Sequence, residues 1–299
     1  MKKRITYLIA VLSLLMLSST FYAQNDKLAK ADELYRAKNA KAARSAIDSV
    51  INHPETKKDP TAWTLRGYIY YDIYKATDKQ KLYSALRDSS IRSLFMSQSL
   101  KPDEAIQGQN KTLIKNFSQG YYGICKSLLQ DSANFERSQI AFKKYKELYA
   151  KVDSTFDFKP KDIEYYSAVG SQFSDKFNLD NSKTQFGEVG KVALMKVLDL
   201  DPKNISANIN LGIIYYNQGV NLINQMDLDT PLEKLEVIQD NSAKLFKQSL
   251  PFMNKVYQLD PKNVKALESL RQIYQALNDS EKSLEFNKKL EDAKKGSQQ

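Results

Sequence analysis

Leu200-Asp201-Pro202-Lys203-Asn204 recurs unchanged as Leu259-Asp260-Pro261-Lys262-Asn263. An apolar run with helical spacing precedes each Pro, and a second run, carrying Tyr215 or Tyr274, follows it. Pro stops a helix because its ring removes a backbone donor and pushes the residue before it out of the α region. A chain that punctuates itself twice in the same way is predicted to stack like-built helical units rather than close around one core.

Other stretches repeat the pattern less literally. In Thr61-Ala62-Trp63-Thr64-Leu65-Arg66-Gly67-Tyr68-Ile69-Tyr70, a large aromatic, a Gly four residues on and a Tyr three beyond share one helical face. Gly there lets a neighbouring helix come close, which outweighs the ~1 kcal/mol it costs in helix propensity. Ser90, Leu94, Ser97 and Leu100 follow at second-helix spacing and end at Pro102. The same arrangement returns as Tyr166, Val169, Gly170 and Phe173, with Gly190, Leu194, Val197, Leu200 and Pro202. It returns again as Asn208, Leu211, Gly212 and Tyr215, with Ser249, Met253, Val256, Leu259 and Pro261. The last copy opens with Leu267, Leu270 and Tyr274, but Arg271 replaces its Gly. Weaker versions lie between Leu28 and His53 and around Ser138, Phe142, Tyr145 and Leu148.

This set of positions resembles the tetratricopeptide repeat over roughly residues 26 to 293. The resemblance implies an all-α fold, a right-handed superhelix (α-solenoid) of about six antiparallel helical hairpins, some of them extended. We place the hairpins at 26–52, 61–99, 104–149, 161–199, 204–258 and 264–293, within one repeat domain covering 24–299. Boundary prolines at 60, 102, 160, 202 and 261 are spaced 42, 58, 42 and 59 residues apart, against a family norm of ~34. That alternation suggests duplication of a two-hairpin module. In the widest unit, Thr230-Pro231-Leu232-Glu233 has the form of a capping box. Its second helix is therefore expected to run from Pro231 to about Gln258, kinked at Pro251. Asp131 and Asp279 are read as further N-caps.

Lys2, Lys3 and Arg4 precede an apolar run from Tyr7 to Leu17, and Ala23 offers a cleavage point. This is the pattern of a secretory signal peptide over 1–23. Eleven helical residues reach roughly 16 Å, too short for the ~30 Å hydrocarbon core, so no transmembrane anchor is expected after cleavage. Removing those residues takes away three basic and no acidic side chains, which lowers the net charge from +10 to +7. Lys is interleaved with Glu and Asp along every predicted helix, the pattern of solvated faces, so a nucleic-acid partner is not expected. The charge permits peripheral association with an anionic cell-envelope surface. Together with the repeat punctuation, the signal is similar to that of exported repeat proteins of Gram-negative Bacteroidetes, which implies a periplasmic or outer-envelope location.

The chain contains one Cys, Cys125, and one His, His53. A single Cys makes no intrachain disulfide, and Cys125, in an apolar helical neighbourhood, reads as core. One His beside Pro54 offers no triad, and one His with one Cys cannot assemble the usual zinc ligands. There is no Gly-rich phosphate loop or dinucleotide fingerprint. No cofactor is expected, and the chain is read as non-enzymatic.

In the family this chain resembles, the first helix of each hairpin lines an inner groove where partner peptides lie. Carried onto this sequence, the groove positions are Tyr68, Tyr71 and Asp72; Ser171, Ser174 and Asp175; Ile213, Tyr216 and Asn217; and Gln272 and Gln275. The resemblance thus implies a scaffold or adaptor that binds a protein or peptide. A second reading is carbohydrate binding by clustered tyrosines, with Tyr121, Tyr122, Tyr165 and Tyr166 stacking on sugar rings.

Overall fold

Two near-identical corners organise the second half of the molecule. In the computed structural model, which describes residues 26–54, 56–227 and 229–296, Asp201 and Asp260 each end a helix with φ, ψ of −140°, 86° and −143°, 89°. Asn204 and Asn263 each begin the next, at −63°, 105° and −63°, 106°. The Asp carboxylate accepts from the backbone N–H two residues on, in both cases at 3.2 Å. The Asn side chain then accepts from the third N–H of the new helix, from Ala207 at 3.0 Å and Ala266 at 3.1 Å. A repeated five-residue sequence thus produces one repeated turn, because short polar side chains satisfy the orphan donors of a helix start locally.

Among the described residues the chain is all-α, with no strand. Helices pair in chain order. α1 (26–36) packs on α2 (Ala40–Ile51), α3 (Pro60–Thr77) on α4 (Ala85–Ser99), and α5 (Glu104–Leu128) on α6 (Phe135–Ala150). α7 (Lys159–Leu179) packs on α8 (Thr184–Leu200), α9 (Ile205–Ile223) on α10 (Leu232–Leu259), and α11 (Val264–Ala276) on α12 (Ser280–Gly296). The segment read as a signal peptide lies outside the described residues.

Each strong hairpin is closed by the same crossing. Gly67 faces Leu94, Gly170 faces Leu194 and Gly212 faces Met253, so closely that a Cβ on the Gly would come within 2.6, 2.5 and 2.5 Å of the opposing side chain. In two of these three crossings a serine one turn before the large residue adds a hydrogen bond, and in the other that position is Gly190. Ser90 Oγ donates to the Gly67 carbonyl at 2.5 Å, and Ser249 Oγ to that of Gly212 at 2.7 Å. In the last hairpin Ser283 Oγ still donates to the carbonyl of Arg271, the residue that replaces Gly, at a looser 3.2 Å. The small residues therefore bring the backbones together and the hydroxyl uses the proximity, at a net gain of about 1 kcal/mol per buried bond.

The helices group into two compact units, one ending at Phe156 and the other starting at Asp157. One continuous domain was expected. The division falls at the link of residues 151–158, which matches the link at 52–59 in length, whereas the corners at 201–204 and 260–263 have four residues each. That link folds back on its own unit: Asp153 accepts from Lys115 Nζ at 2.9 Å and the Phe156 ring lies 4.3 Å from that of Tyr149. Each unit holds three hairpins. The core of the first includes Ala31, Ala43, Ile47, Val50, Ala62 and Ile69. The second is built around Phe177, Leu194, Val197, Leu211 and Ile214, and around Met253, Leu267, Leu270 and Phe286.

Asp279 caps α12 through the Lys282 N–H, and Asp131 caps a 3₁₀ turn before α6 through that of Ala133. The capping box at Thr230 does not form. Thr230 Oγ1 donates to Asp227 Oδ1 at 2.7 Å and accepts from the Asp227 N–H at 2.9 Å, which leaves α10 without a side-chain cap. α10 runs its 28 residues through Pro251, which removes the backbone donor to the Lys247 carbonyl; both residues are exposed.

Gly170→Ala places a methyl 2.5 Å from both Cγ and Cδ2 of Leu194, which is 1 % exposed and cannot withdraw. The expected loss is about 1–3 kcal/mol from overpacking, despite the ~1 kcal/mol that Ala gains in helix propensity. Gly123→Ala, in open space on α5, should instead stabilise. Urea unfolding midpoints of the two variants should move in opposite directions.

Candidate functional site

In the first unit the opening helices of all three hairpins contribute to one cavity of about 790 Å³. Leu28 and Ala29 of α1, Leu65 of α3 and Ile106 of α5 supply its apolar lining. Asp32, Tyr35, Thr64, Tyr68 and Gln109 supply polar groups, with Arg36 and Thr61 completing the wall. Leu28, Asp32 and Tyr35 reach the same side of α1 because they are four and three residues apart. Tyr68 Oη donates to the Gln109 carbonyl at 3.5 Å and so leans across from α3 to α5.

Beneath this wall three uncharged polar side chains close a ring. Thr64 Oγ1 donates to Asn110 Oδ1 at 3.1 Å, and Asn110 Nδ2 donates to Ser97 Oγ at 2.9 Å. Ser97 Oγ lies 2.9 Å from Thr64 Oγ1, and donating to it lets each group in the ring donate once and accept once. Asn110 and Ser97 are fully buried and Thr64 is nearly so. Polar groups out of water must be paired, and this ring pairs them while fixing α3, α4 and α5 to one another. A second network fixes α2 to α3: Asp48 takes Arg66 Nε at 2.8 Å on one oxygen and Tyr70 Oη at 2.7 Å on the other.

The expected groove residues fare unequally. Tyr68 lines the cavity. Asp72 is exposed and accepts the Tyr35 hydroxyl at 2.7 Å. Burial and that hydrogen bond push the Tyr35 phenol well above its ordinary pKa. Tyr71 packs edge-on against Phe117, 5.0 Å between ring centres, and Lys75 covers its ring.

In the second unit Ser174 is a correction. It is buried against Gly190 of α8, which takes it out of any docking face, and its hydroxyl donates to the Gly170 carbonyl within α7 at 2.6 Å. Ser171 is half-buried and Asp175 exposed on the same helix. Ile213 packs into the core, and Tyr216 lies 5.4 Å from the Phe246 ring, burial raising its pKa and nearby Arg271 lowering it. Asn217 donates to Asn178 at 2.7 Å and so joins α9 to α7. Gln275 accepts from Arg271 at 3.2 Å, and Gln272 is half-buried.

Sequence reasoning missed the whole α1 contribution, because the first hairpin carries one of the weaker copies of the repeat. Its i, i+4, i+7 spacing of Leu28, Asp32 and Tyr35 was the available signal.

The tyrosines suggested for sugar stacking are not offered to a ligand. Tyr121, Tyr122 and Tyr165 are buried. The guanidinium of fully buried Arg87 lies 4.0 Å from the centre of the Tyr121 ring, and Lys196 covers half-buried Tyr166 at 4.6 Å. Helical spacing puts an aromatic on a face, but the packed neighbour decides whether that face is wet. Cys125 is buried, as expected of core, and burial pushes its thiol up to about 12. Among the described residues no group of His, Cys, Asp and Glu is placed to hold a metal.

No protein-family model matches this chain. No curated protein matches it either. Among solved structures it is similar to PilW, a type IV pilus biogenesis factor, at 17 % identity over 90 % of this chain and 92 % of that one, TM-score 0.28. It is also similar to the S. pombe nuclear import adaptor Nro1 (14 %, 92 % and 94 %, TM-score 0.31) and to the TPR2AB domain of yeast Sti1 (13 %, 90 % and 90 %, TM-score 0.29). These TM-scores are too low to lay one chain's site on another's.

Asn110→Ala deletes two arms of the buried ring and leaves Thr64 and Ser97 each short of a partner. A loss of about 1–3 kcal/mol is expected, read as a fall in the urea midpoint. Combined with Ser97→Ala, the loss should be clearly less than the sum of the two single losses, since both act on one network.

Proposed function

We propose that this chain of tetratricopeptide-like hairpins is a non-enzymatic adaptor that holds a segment of a protein partner against the first helices of its hairpins. The cavity between α1, α3 and α5 carries this reading, since it joins an apolar lining to convergent hydrogen-bonding groups on rigid helices. Helices fixed by buried rings and close crossings lose little freedom on binding, so a docked segment pays mostly for its own ordering. The sugar reading has lost its exposed rings and is set aside.

Ala29 is exposed and lines the cavity, so Ala29→Trp fills it without removing a core side chain. Capture of the native partner should fall at least tenfold relative to the parent chain, with an unchanged circular dichroism spectrum. Undiminished capture would place the partner elsewhere.

We further propose that residues 1–23 direct export and are removed, leaving a chain that starts at Gln24 in the periplasm or at the outer envelope of a Gram-negative cell. No helix among the described residues is long and apolar enough to cross a membrane. N-terminal sequencing of the protein from its source should begin at Gln24. Recovery of a chain that retains Met1 would count against export.

A further inference from the structure

Resting on that groove reading, we infer that the segment bound between α1, α3 and α5 is amphipathic and basic: its apolar side chain enters the cavity while a Lys or Arg meets the carboxylates beside Tyr35.

Leu28, Leu65 and Ile106 make the interior apolar, so the entering group is apolar too. The charge around the opening sets the rest. Asp72 is exposed, is hydrogen-bonded by the neutral Tyr35 phenol, and makes no ion pair with any described residue. Lys75, one helical turn on, sits instead 5.2 Å from the centre of the Tyr71 ring. Asp32 is paired with Arg36 at 2.8 Å, but that Arg side chain is 79 % exposed. A solvent-exposed i, i+4 pair of this kind holds together weakly and exchanges partners readily. Asp32 lines the cavity beside Tyr35, and Asp72 takes the hydrogen bond of the Tyr35 hydroxyl, so both carboxylates lie next to that side chain. A cation docked there would gain Asp72 outright and compete for Asp32.

The chain's net charge of +10 argues at first for acidic partners. Distance decides between the two effects. Charges farther than ~8 Å are largely screened at physiological salt, whereas a cation in contact with Asp72 is not. The remote positive charge then penalises loosely held basic chains and leaves the local contact intact.

The test uses the chain from Gln24 onward and two fluorescent synthetic peptides of the same length. One is built of Leu, Ala and Lys on an amphipathic helical pattern, and the other has every Lys replaced by Glu. Fluorescence anisotropy is expected to show the Lys peptide binding more tightly than the Glu peptide. Asp72→Asn, which keeps an oxygen for Tyr35 but removes the charge, should weaken the Lys peptide about three- to fivefold. It should leave the Glu peptide equal or tighter. Ala29→Trp should abolish binding of the Lys peptide. Equal or tighter binding of the Glu peptide to the parent chain, still blocked by Ala29→Trp, would overturn the basic class while leaving the groove in place. Lys-peptide binding that ignores Ala29→Trp, or binding of neither peptide, would overturn the inference. Whether the groove itself falls is read separately from capture of the native partner by the same variant.

Discussion

Close approach of the two helices at Gly170 and Leu194, and at the matching Gly67–Leu94 and Gly212–Met253 crossings, sets the spacing that the rest of the molecule depends on. A glycine in mid-helix is a loss by propensity alone. Here the missing Cβ is the room that the opposing side chain occupies, and serine hydroxyls on α4 and α10 reach a carbonyl of the facing helix as a result. Packing, hydrogen bonding and helix spacing are thus one feature seen three ways. Because the second helix sits where that contact puts it, the first helix is left with a defined outward face.

What that face can do follows from how its neighbours are tied. The ring of Thr64, Ser97 and Asn110 and the Asp48–Arg66–Tyr70 network hold adjacent hairpins of the first unit in register. Such groups must be fully paired to be tolerated away from water, so they fix a single arrangement where an all-apolar seam could slide. Tyr68, Leu65 and Thr64 reach the cavity from α3 because that helix is pinned on both sides. Rigidity and recognition therefore have the same origin.

Charge works at two ranges in this protein. Lysines laid over tyrosine and phenylalanine rings, as at Lys196–Tyr166 and Lys289–Tyr257, shield aromatic surface that would otherwise be exposed. That shielding explains how a chain so rich in tyrosine presents few open rings. Beside the first-unit cavity, Asp32 lines the wall and Asp72 accepts the Tyr35 hydroxyl. A uniformly basic reading of the composition misses these carboxylates.

Helix pairing, hairpin limits within a few residues, and the Gly–Leu crossings were legible in the chain, because each depends on spacing along one helix or on a short polar turn. The Asp-Pro-Lys-Asn corner is the clearest case, since its hydrogen bonds span only two or three residues. The cavity was legible only in part: Tyr68 was found, whereas Tyr35 and Thr64 were not, and in the second unit Ser174 proved to be buried against Gly190 of the paired helix. Tyr35 meets Asp72 across 37 residues, and Thr64 meets Asn110 across 46. Contacts at that range depend on the register between helices, which is the sum of many packing interactions and is written at no single position. The sequence alone therefore determined the kind of unit and where each begins, and tertiary packing decided which side chains of that unit face one another and which face out.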